Sequence, residues 1–214
     1  MQNYLLIFDF DGTIADTFHH ILMISNHLSG EFKFKKIEPH EVEILKDKTS
    51  IEVIQHLQVP VYKIPAIIAK AKNQLNKDIT VVKPIHGIRE MLLKLKSIGY
   101  KIGILSSNST ENVLKFLKHH DLNFFDFIHT TSNIWSKNTI LNKLIKNNGF
   151  KINQVIYIGD ETRDIIAARK AGVKVAAVTW GYNSRKALQT HNPDFLFNHP
   201  EDLVQLYIKD NKLD

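Results

Sequence analysis

The chain has 214 residues, 43% of them hydrophobic, so it is long enough to bury a substantial core. It contains no cysteine, which excludes disulfides and thiolate metal sites, and its formal net charge is +6. Only four of its 28 basic residues are arginine and the lysines are scattered, so we do not expect nucleic-acid binding.

The sequence also lacks the signals of membrane insertion and export. No segment is apolar over the roughly 20 residues that a spanning helix needs, and no basic leader precedes a cleavage site. We therefore expect a cytoplasmic protein without membrane partners, and the sequence leaves its oligomeric state open. The positive net charge favours a mild attraction for anionic small substrates.

Short apolar runs alternate with helical patterns along most of the chain. The runs are nearly continuous, which is typical of parallel strands covered on both faces. They span Leu5–Phe8, Lys101–Leu105, Phe125–His129, Val155–Ile158 and Val175–Val178. The helical patterns span Gly87–Ile98, Thr110–His119, Asn138–Asn147 and Asp164–Ala171. The sequence therefore predicts an α/β fold, a doubly wound (Rossmann-like) and mostly parallel sheet.

Residues 17–82 interrupt this alternation. They contain no convincing strand run and carry several helical stretches separated by prolines, which predicts an inserted all-helical domain. Asp16 is a candidate cap for the first of these helices, and Pro84 and Gly87 mark the return to the sheet. The predicted core domain is thus discontinuous, with residues 1–16 joined to residues 83–214.

Two acidic clusters follow predicted strands that lie far apart in the sequence. Asp9 and Asp11 are two residues apart at the end of the first strand, so their side chains are predicted to converge on one small volume. Asp160 and Asp164 follow the run Val155–Ile158. Because ligands of open α/β sheets bind at the carboxyl ends of the strands, the two clusters suggest a shared divalent cation.

A third polar cluster follows the strand that ends at Leu105. Ser106 has a hydroxyl, and it is predicted to open the next helix, so this hydroxyl and nearby backbone donors are candidates for holding a phosphate oxygen. The alternative is an ordinary N-cap, since Ser, Asn and Thr are common at helix starts.

These motifs together resemble the four signature motifs of the haloacid dehalogenase superfamily. The helical insertion and the segments around Gly172 and Gly181 resemble its phosphoglycolate-phosphatase-like subgroup, in which the insertion is a cap domain. The motifs are Asp9-Phe10-Asp11-Gly12-Thr13, Ser106, Lys137, and Gly159-Asp160 with Asp164.

The resemblance implies a phosphatase that forms an aspartyl-phosphate. Asp9 would be the nucleophile and Asp11 the general acid and base, a residue that dehalogenases proper lack. Ser106 would donate a hydrogen bond to the phosphoryl group and Lys137 would neutralise charge on it. Further phosphate-binding residues would be Gly12, Ser107 and Asn108.

The resemblance also implies Mg²⁺, which suits a site of hard oxygen ligands. Its ligands would be the Asp9 carboxylate, the Asp11 main-chain carbonyl and Asp160. Asp164 and Glu161 would be direct ligands or would orient one, and Glu161 departs from the small residue common at this position.

The substrate-recognition residues of the insert are less defined by the sequence. Phe18, His19 and His20 lie where the chain leaves the core, and Lys46 and Lys48 lie in a turn that is able to reach the site. The predicted function is hydrolysis of a small phosphorylated metabolite. The alternatives are a phosphomutase or phosphonate hydrolase of the same superfamily, or a non-catalytic protein that binds a phosphorylated ligand or acts in signalling.

Overall fold

The computed structural model describes residues 4–131 and 137–206. Its centre is a six-stranded parallel sheet in the order β3-β2-β1-β4-β5-β6. The winding reverses between β1 and β4, so a crevice opens beyond the carboxyl ends of the central strands. The strands are β1 (Leu5–Phe8), β2 (Lys101–Ser106), β3 (Phe127–Thr130), β4 (Val155–Gly159), β5 (Lys174–Val178) and β6 (Phe195–Phe197).

Helices cover both faces of this sheet. None of the helices in the described ranges has the length and apolar character needed to cross a membrane. The helices are α1 (Phe18–Phe32), α2 (Val42–Lys46), α3 (Ser50–His56), α4 (Ile64–Asp78), α5 (Ile88–Ile98), α6 (Thr110–His119), α7 (Lys137–Asn147), α8 (Thr162–Ala171) and α9 (Arg185–Thr190).

The sheet separates two apolar cores. Leu6 and Phe8 of β1 pack on one face among side chains of α1, α4, α5 and α6, whereas Leu5 and Ile7 pack on the other face against α7 and α8. All four side chains are fully buried. Burial on both faces explains why β1 is a continuous apolar run, and the predicted fold class is confirmed.

Three local features differ from the sequence-based expectations. β6 and α9 were not predicted, because three and six residues are too short for a hydrophobic period to be recognised. The predicted cap at Asp16 is wrong: Thr17 occupies the N-cap position of α1, without a side-chain capping bond.

The helices α1 to α4 form a layer that is inserted after β1. The two chain connections to this layer lie side by side, because the Asp16 N–H donates to the Lys83 carbonyl and the Ile85 N–H donates to the Ile14 carbonyl, each at 2.9 Å. The helix pair α1 and α4 packs together, and α4 also contacts α6 of the sheet layer. This arrangement places the helical layer against the end of the sheet where the acidic residues lie.

Candidate active site

Parallel register brings the first and last motifs together. Phe8 is paired with Ile104 and with Ile158, so the residues that follow β1 and β4 emerge at the same edge of the sheet. Asp9 and Asp160 both lie there and are buried. The shared edge therefore joins acidic residues that are about 150 positions apart in the sequence.

Lys137 is a buried cation between two buried carboxylates. Its Nζ donates to Asp9 Oδ2 at 2.6 Å and to Asp164 Oδ1 at 2.7 Å, and 1% of the lysine side chain is exposed. Lys137 is the first residue of α7, which points it at the ends of β1 and β4. Removal of one partner from such a buried pair leaves an uncompensated charge. The contact therefore contributes to the stability of the fold as well as to the chemistry of the site.

Asp9, Asp160 and Asp164 form a cluster that fits a divalent cation. One carboxylate oxygen from each lies within 4.8 Å of the others. Burial raises the pKa of Asp9 to about 7 although the Lys137 charge opposes the shift, and burial together with the Glu161 charge raises the pKa of Asp160 well above its usual range. One lysine does not neutralise three carboxylates, so the cluster has an excess of negative charge and hard oxygen donors.

Asp160 is enclosed by small residues and held from two sides. Thr13 Oγ1 donates to Asp160 Oδ1 at 2.6 Å, and the Tyr182 N–H donates to Asp160 Oδ2 at 2.7 Å. A Cβ on Gly12 would lie 2.3 Å from Oδ2 of Asp160, and one on Gly181 would lie 2.1 Å from the same atom. Gly12 also has a φ of +73°, so only glycine fits there without strain. Close packing against Asp160 therefore explains why residue 12 is a glycine.

Asp11 lies apart from the three-carboxylate cluster. Asn108 Nδ2 donates to both of its carboxylate oxygens, at 3.0 and 3.1 Å. Burial raises the pKa of Asp11, and hydrogen bonds from Thr17 and Asn108 oppose the shift. A raised pKa favours a carboxyl group that holds a proton, as an acid catalyst must.

The loop between β2 and α6 differs from the sequence-based expectation. Ser106 is the last residue of β2 and does not open the helix, since Ser109 is the N-cap and accepts from the Asn112 N–H at 3.2 Å. The buried Ser106 hydroxyl oxygen accepts from the Asn108 N–H at 2.9 Å. Among the described residues no acceptor takes the proton of this hydroxyl, which leaves it available there for a ligand, and Ser107 lines the neighbouring cleft.

A cleft of about 260 Å³ separates the helical layer from the sheet edge. Asp11, Ser107 and Asn108 line it from the sheet side, and Lys72 of α4 lines it from the helical side. Glu161 also reaches the cleft, but Ser50 Oγ and Arg163 Nε donate to its carboxylate, at 3.1 and 2.8 Å. The Glu161 carboxylate is therefore engaged by Ser50 and Arg163, while its charge still acts on Asp160.

A second cavity of about 270 Å³ lies within the helical layer. Apolar side chains of α1, α2 and α3 line most of it, and Lys46, Lys48 and Tyr182 line it where it approaches the cleft. Asn183 Nδ2 donates to the carbonyls of Lys46 and Lys48, each at 2.9 Å, so the turn that carries these lysines is tied to the sheet layer. The Lys46 ammonium lies 4.8 Å from the centre of the Phe18 ring.

The sequence motifs and this geometry agree with a known family of proteins. The family model for haloacid dehalogenase-like hydrolases matches residues 6–178. The chain belongs to that family. This haloacid dehalogenase-like chain is 32% identical over 201 residues to the phosphoglycolate phosphatase of Synechococcus elongatus, a match that covers 94% of this chain and 95% of that protein.

Two further matches extend over nearly the full length of the chain. The chain is 27% identical over 219 residues to the pyrophosphatase PpaX of Bacillus cereus strain AH820, with coverage of 96% of this chain and 97% of that protein. A solved structure described as a predicted phosphatase from Clostridium acetobutylicum superposes with a TM-score of 0.83 at 20% identity, covering 98% and 100% of the two chains. At that identity the superposition supports the fold alone, and the resemblance to the family drawn from the motifs is confirmed by the family match.

Of the three substrate-recognition residues predicted where the chain leaves the core of this haloacid dehalogenase-like protein, Phe18 alone lines one of the cavities described above. Phe18 lines the apolar cavity and packs edge-on against the Tyr182 ring at 5.3 Å between ring centres. His19 is exposed, and neither His19 nor His20 lines the cleft or the apolar cavity described above.

Four residues near the site were given no role from the sequence. Thr13 and Tyr182 hold Asp160, Arg163 holds Glu161, and Lys72 enters the cleft from α4. Thr13 belongs to the first motif, and Tyr182 follows Gly181 in a segment that resembles the same subgroup. Their positions in these segments could have indicated that they lie near the acidic residues. Lys72 had none, because one lysine among many on an amphipathic helix has no distinguishing pattern.

Proposed function

We propose that the protein is a Mg²⁺-dependent phosphatase that hydrolyses a small phosphorylated metabolite through an aspartyl-phosphate. One observation carries the proposal: a buried carboxylate, Asp9, is held by a buried lysine, beside two further aspartates and a separate raised-pKa carboxyl group, Asp11. The phosphatase and pyrophosphatase activities in the names of the relatives support the same reaction class.

In the first proposed step, a carboxylate oxygen of Asp9 attacks phosphorus. A bond forms between that oxygen and phosphorus while the bond from phosphorus to the leaving oxygen breaks. The Asp11 carboxyl group gives its proton to the leaving oxygen, so the product departs as a neutral alcohol. The separation of Asp11 from the three-carboxylate cluster suits this division of labour, because the Lys137 ammonium and a bound Mg²⁺ would favour the ionised form of Asp9 while burial favours the protonated form of Asp11.

In the second proposed step, water attacks the phosphorus of the aspartyl-phosphate. Asp11, now ionised, takes a proton from this water, and the bond from phosphorus to Asp9 breaks to release inorganic phosphate. The Lys137 ammonium and the Ser106 hydroxyl would neutralise and orient the phosphoryl oxygens in both steps. Asn108 would act by holding Asp11, because its side-chain amide is already bonded to that carboxylate.

The residues present fit Mg²⁺. Asp9, Asp160 and the Asp11 main-chain carbonyl would hold it, and when bound it supplies positive charge that stabilises the phosphoryl oxygens. Asp164 is better suited to an orienting role, because its oxygens already accept from Lys137 at 2.7 Å and from the Glu161 N–H at 3.1 Å. Glu161 is better suited to joining the helical layer through Ser50.

The helical layer would complete the site. We propose residues 17–82 as a cap domain over a discontinuous core of residues 1–16 and 83–214; residues 1–3, 132–136 and 207–214 of that core lie outside the described ranges. The small cleft between the two parts supports a small substrate in place of a macromolecule. We propose a cytoplasmic location, in keeping with a metabolite substrate.

Asp11→Asn tests the acid and base role most sharply. We expect it to lower kcat/KM for an alkyl phosphate by about 10²- to 10⁴-fold, since this constant reports the first step, in which the leaving alkoxide is no longer protonated. The loss should be smaller for p-nitrophenyl phosphate, whose leaving group departs without a proton. Steady-state phosphate release from both substrates measures the difference.

The exposed Asp16→Asn is the matched control, because it removes a carboxylate of the same segment outside the cleft. It should change neither rate. Equal losses of kcat/KM on the two substrates in Asp11→Asn would contradict the acid role assigned to Asp11 in the first step.

Magnesium should stabilise the protein more at about pH 8 than at about pH 5.5. The Asp9 carboxyl has an ordinary pKa of 3.8, which burial in the folded chain raises to about 7. Between these values the folded state binds more protons than the unfolded state, so metal-free stability falls as pH rises. Because protons compete with Mg²⁺ for these oxygens, the metal-induced rise in Tm should grow over the same interval.

Thermal unfolding with and without MgCl₂ at both pH values measures this. Asp160→Asn should reduce the rise at the higher pH, whereas Asp16→Asn should not. A rise of the same size at both pH values, or one unchanged by Asp160→Asn, would argue against a magnesium site at these carboxylates.

A further inference from the structure

We infer that Lys72 determines specificity by binding a second anionic group, a carboxylate or a phosphate, on the leaving-group side of the substrate. This inference rests on the proposed phosphatase function and deepens it. It assigns to the cap helix α4 a residue that contacts substrate, and it defines the substrate class as phosphate esters or anhydrides that carry another anion close to the reacting phosphorus.

Lys72 and the proposed acid catalyst, Asp11, line the same cleft from its two walls. Lys72 lines the same cavity of about 260 Å³ as Asp11, Ser107 and Asn108, although it comes from the helical layer. Because Asp11 would protonate the leaving oxygen, the leaving group must pass on the Asp11 side of the phosphorus. A cation that shares this side is placed to meet whatever the leaving group carries.

Among the residues that the structure describes, the Lys72 ammonium has no anionic partner of its own. Two cationic side chains line this cleft, and the other, Arg163, is paired with Glu161. Within residues 4–131 and 137–206, Lys72 Nζ forms no hydrogen bond or ion pair, in contrast to Lys137, which has two carboxylate partners. Part of the burial penalty of this ammonium is therefore left uncompensated until an anion arrives.

The electrostatics of the cleft agree with this placement. Burial lowers the pKa of Lys72, while the charge of Asp11 opposes the shift. The Asp11 charge thus acts on Lys72 without a direct contact. An anionic substrate group between the cleft walls would add to the attraction that the Asp11 charge exerts on Lys72.

The backbone of α4 at Lys72 is fixed relative to Asp11 by a chain of amides. Asn112 Nδ2 donates to the Lys72 carbonyl at 3.1 Å and to Asn108 Oδ1 at 2.9 Å, and Asn108 in turn holds Asp11. Asn76, one turn along α4, donates to Asn112 Oδ1 at 2.6 Å. The cap lysine and the proposed catalytic acid are therefore joined through three hydrogen bonds, which favours a defined distance between them.

The experiment compares the unaltered chain and Lys72→Met on substrates with and without a second anion. The substitution keeps approximately the length of the side chain and removes its charge. The substrates are phosphoglycolate, which carries a carboxylate, inorganic pyrophosphate, which carries a phosphate, and ethyl phosphate, which carries neither. We expect kcat/KM to fall by about 10- to 100-fold for at least one of the first two, mainly through KM, and by less than about threefold for ethyl phosphate. The larger fall identifies which anion Lys72 binds.

Two variants control for non-specific effects. Lys77→Met removes an exposed lysine from the same helix, away from the cleft, and should leave all three substrates unchanged. Lys72→Arg keeps the charge and should restore part of the discrimination.

The outcomes separate this inference from the function on which it rests. If the unaltered chain turns over the substrates but Lys72→Met affects all three equally, or none, the inference is overturned and the phosphatase function stands. If the unaltered chain turns over no phosphorylated compound, the proposed function fails and the inference fails with it.

Discussion

Asp9→Asn should abolish phosphate release, with a loss of about 10⁴-fold or more. The amide has almost the shape of the carboxylate but cannot form the bond to phosphorus, and loss of a covalent nucleophile has effects on this scale or larger. The amide oxygen of the asparagine is still able to accept the hydrogen bond from Lys137 Nζ, and Asp164 remains as the charged partner of that lysine. Phosphate release under saturating substrate and Mg²⁺ measures the loss.

The covalent intermediate provides an independent readout of the same residue. Acid quenching during turnover should leave one phosphoryl group on the peptide that contains Asp9, and Asp9→Asn should carry none. The variant should also unfold at a temperature close to that of the unaltered chain. A folded Asp9→Asn protein that retains more than about a tenth of the activity would exclude Asp9 as the nucleophile.

Lys137→Met should be the most destabilising single change near the site. Its ammonium is fully enclosed and is the charged partner of both Asp9 and Asp164, so its loss leaves two carboxylates buried without compensation. Breaking a buried ion pair from one side lowers the free energy of unfolding by about 3–5 kcal/mol. Denaturant unfolding in the absence of divalent cations measures the change, and phosphate release should be lost as well.

A double variant separates charge from packing. If uncompensated charge is the cause, Lys137→Met combined with Asp164→Asn should recover a measurable part of the lost stability, because one of the buried carboxylates is then neutral. Lys143→Met, on the same helix but outside the cluster, serves as the control and should change stability little. Losses that simply add in the double variant would show that the lysine stem, and not its charge, matters.

The fold was predictable from the sequence wherever a strand is buried on both faces. β1 was predicted residue for residue, because Leu5 and Leu6 face opposite cores and the run must be apolar throughout. β6 was missed for the opposite reason: it is a three-residue strand at the end of the sheet whose first two residues, Phe195 and Leu196, are only partly buried.

The proposed site was predictable where the strands alone determine position. Asp9 and Asp160 follow paired strands, and parallel register brings them together. The position of Asp11 did not follow from strand periodicity, since β1 ends at Phe8 and the turn that follows places Asp11 apart from the three-carboxylate cluster. Its partner Asn108, for which phosphate binding stays a prediction, donates to both Asp11 carboxylate oxygens in this structure.

The partners of the helical layer were beyond sequence reasoning, although the turn that carries Lys46 and Lys48 was predicted to be able to reach the site. Glu161 accepts a hydrogen bond from Ser50, Asn183 donates one to the Lys46 carbonyl, and Lys72 lines the cleft. Each contact depends on how the helical layer and the sheet layer pack together. No hydrophobic period or motif encodes that docking, because these polar side chains contribute only a few directed hydrogen bonds at the join. Recognition of substrate is therefore the aspect of function that most required a structure.

The most direct test of the account is phosphate release by the unaltered protein from phosphoglycolate, pyrophosphate and p-nitrophenyl phosphate, with Mg²⁺ and with excess chelator. We predict release from at least one of them with Mg²⁺, loss of that release on chelation, and recovery when Mg²⁺ is restored. A folded protein that binds Mg²⁺ and releases phosphate from none of these, or one equally active in excess chelator, would contradict a magnesium-dependent phosphatase.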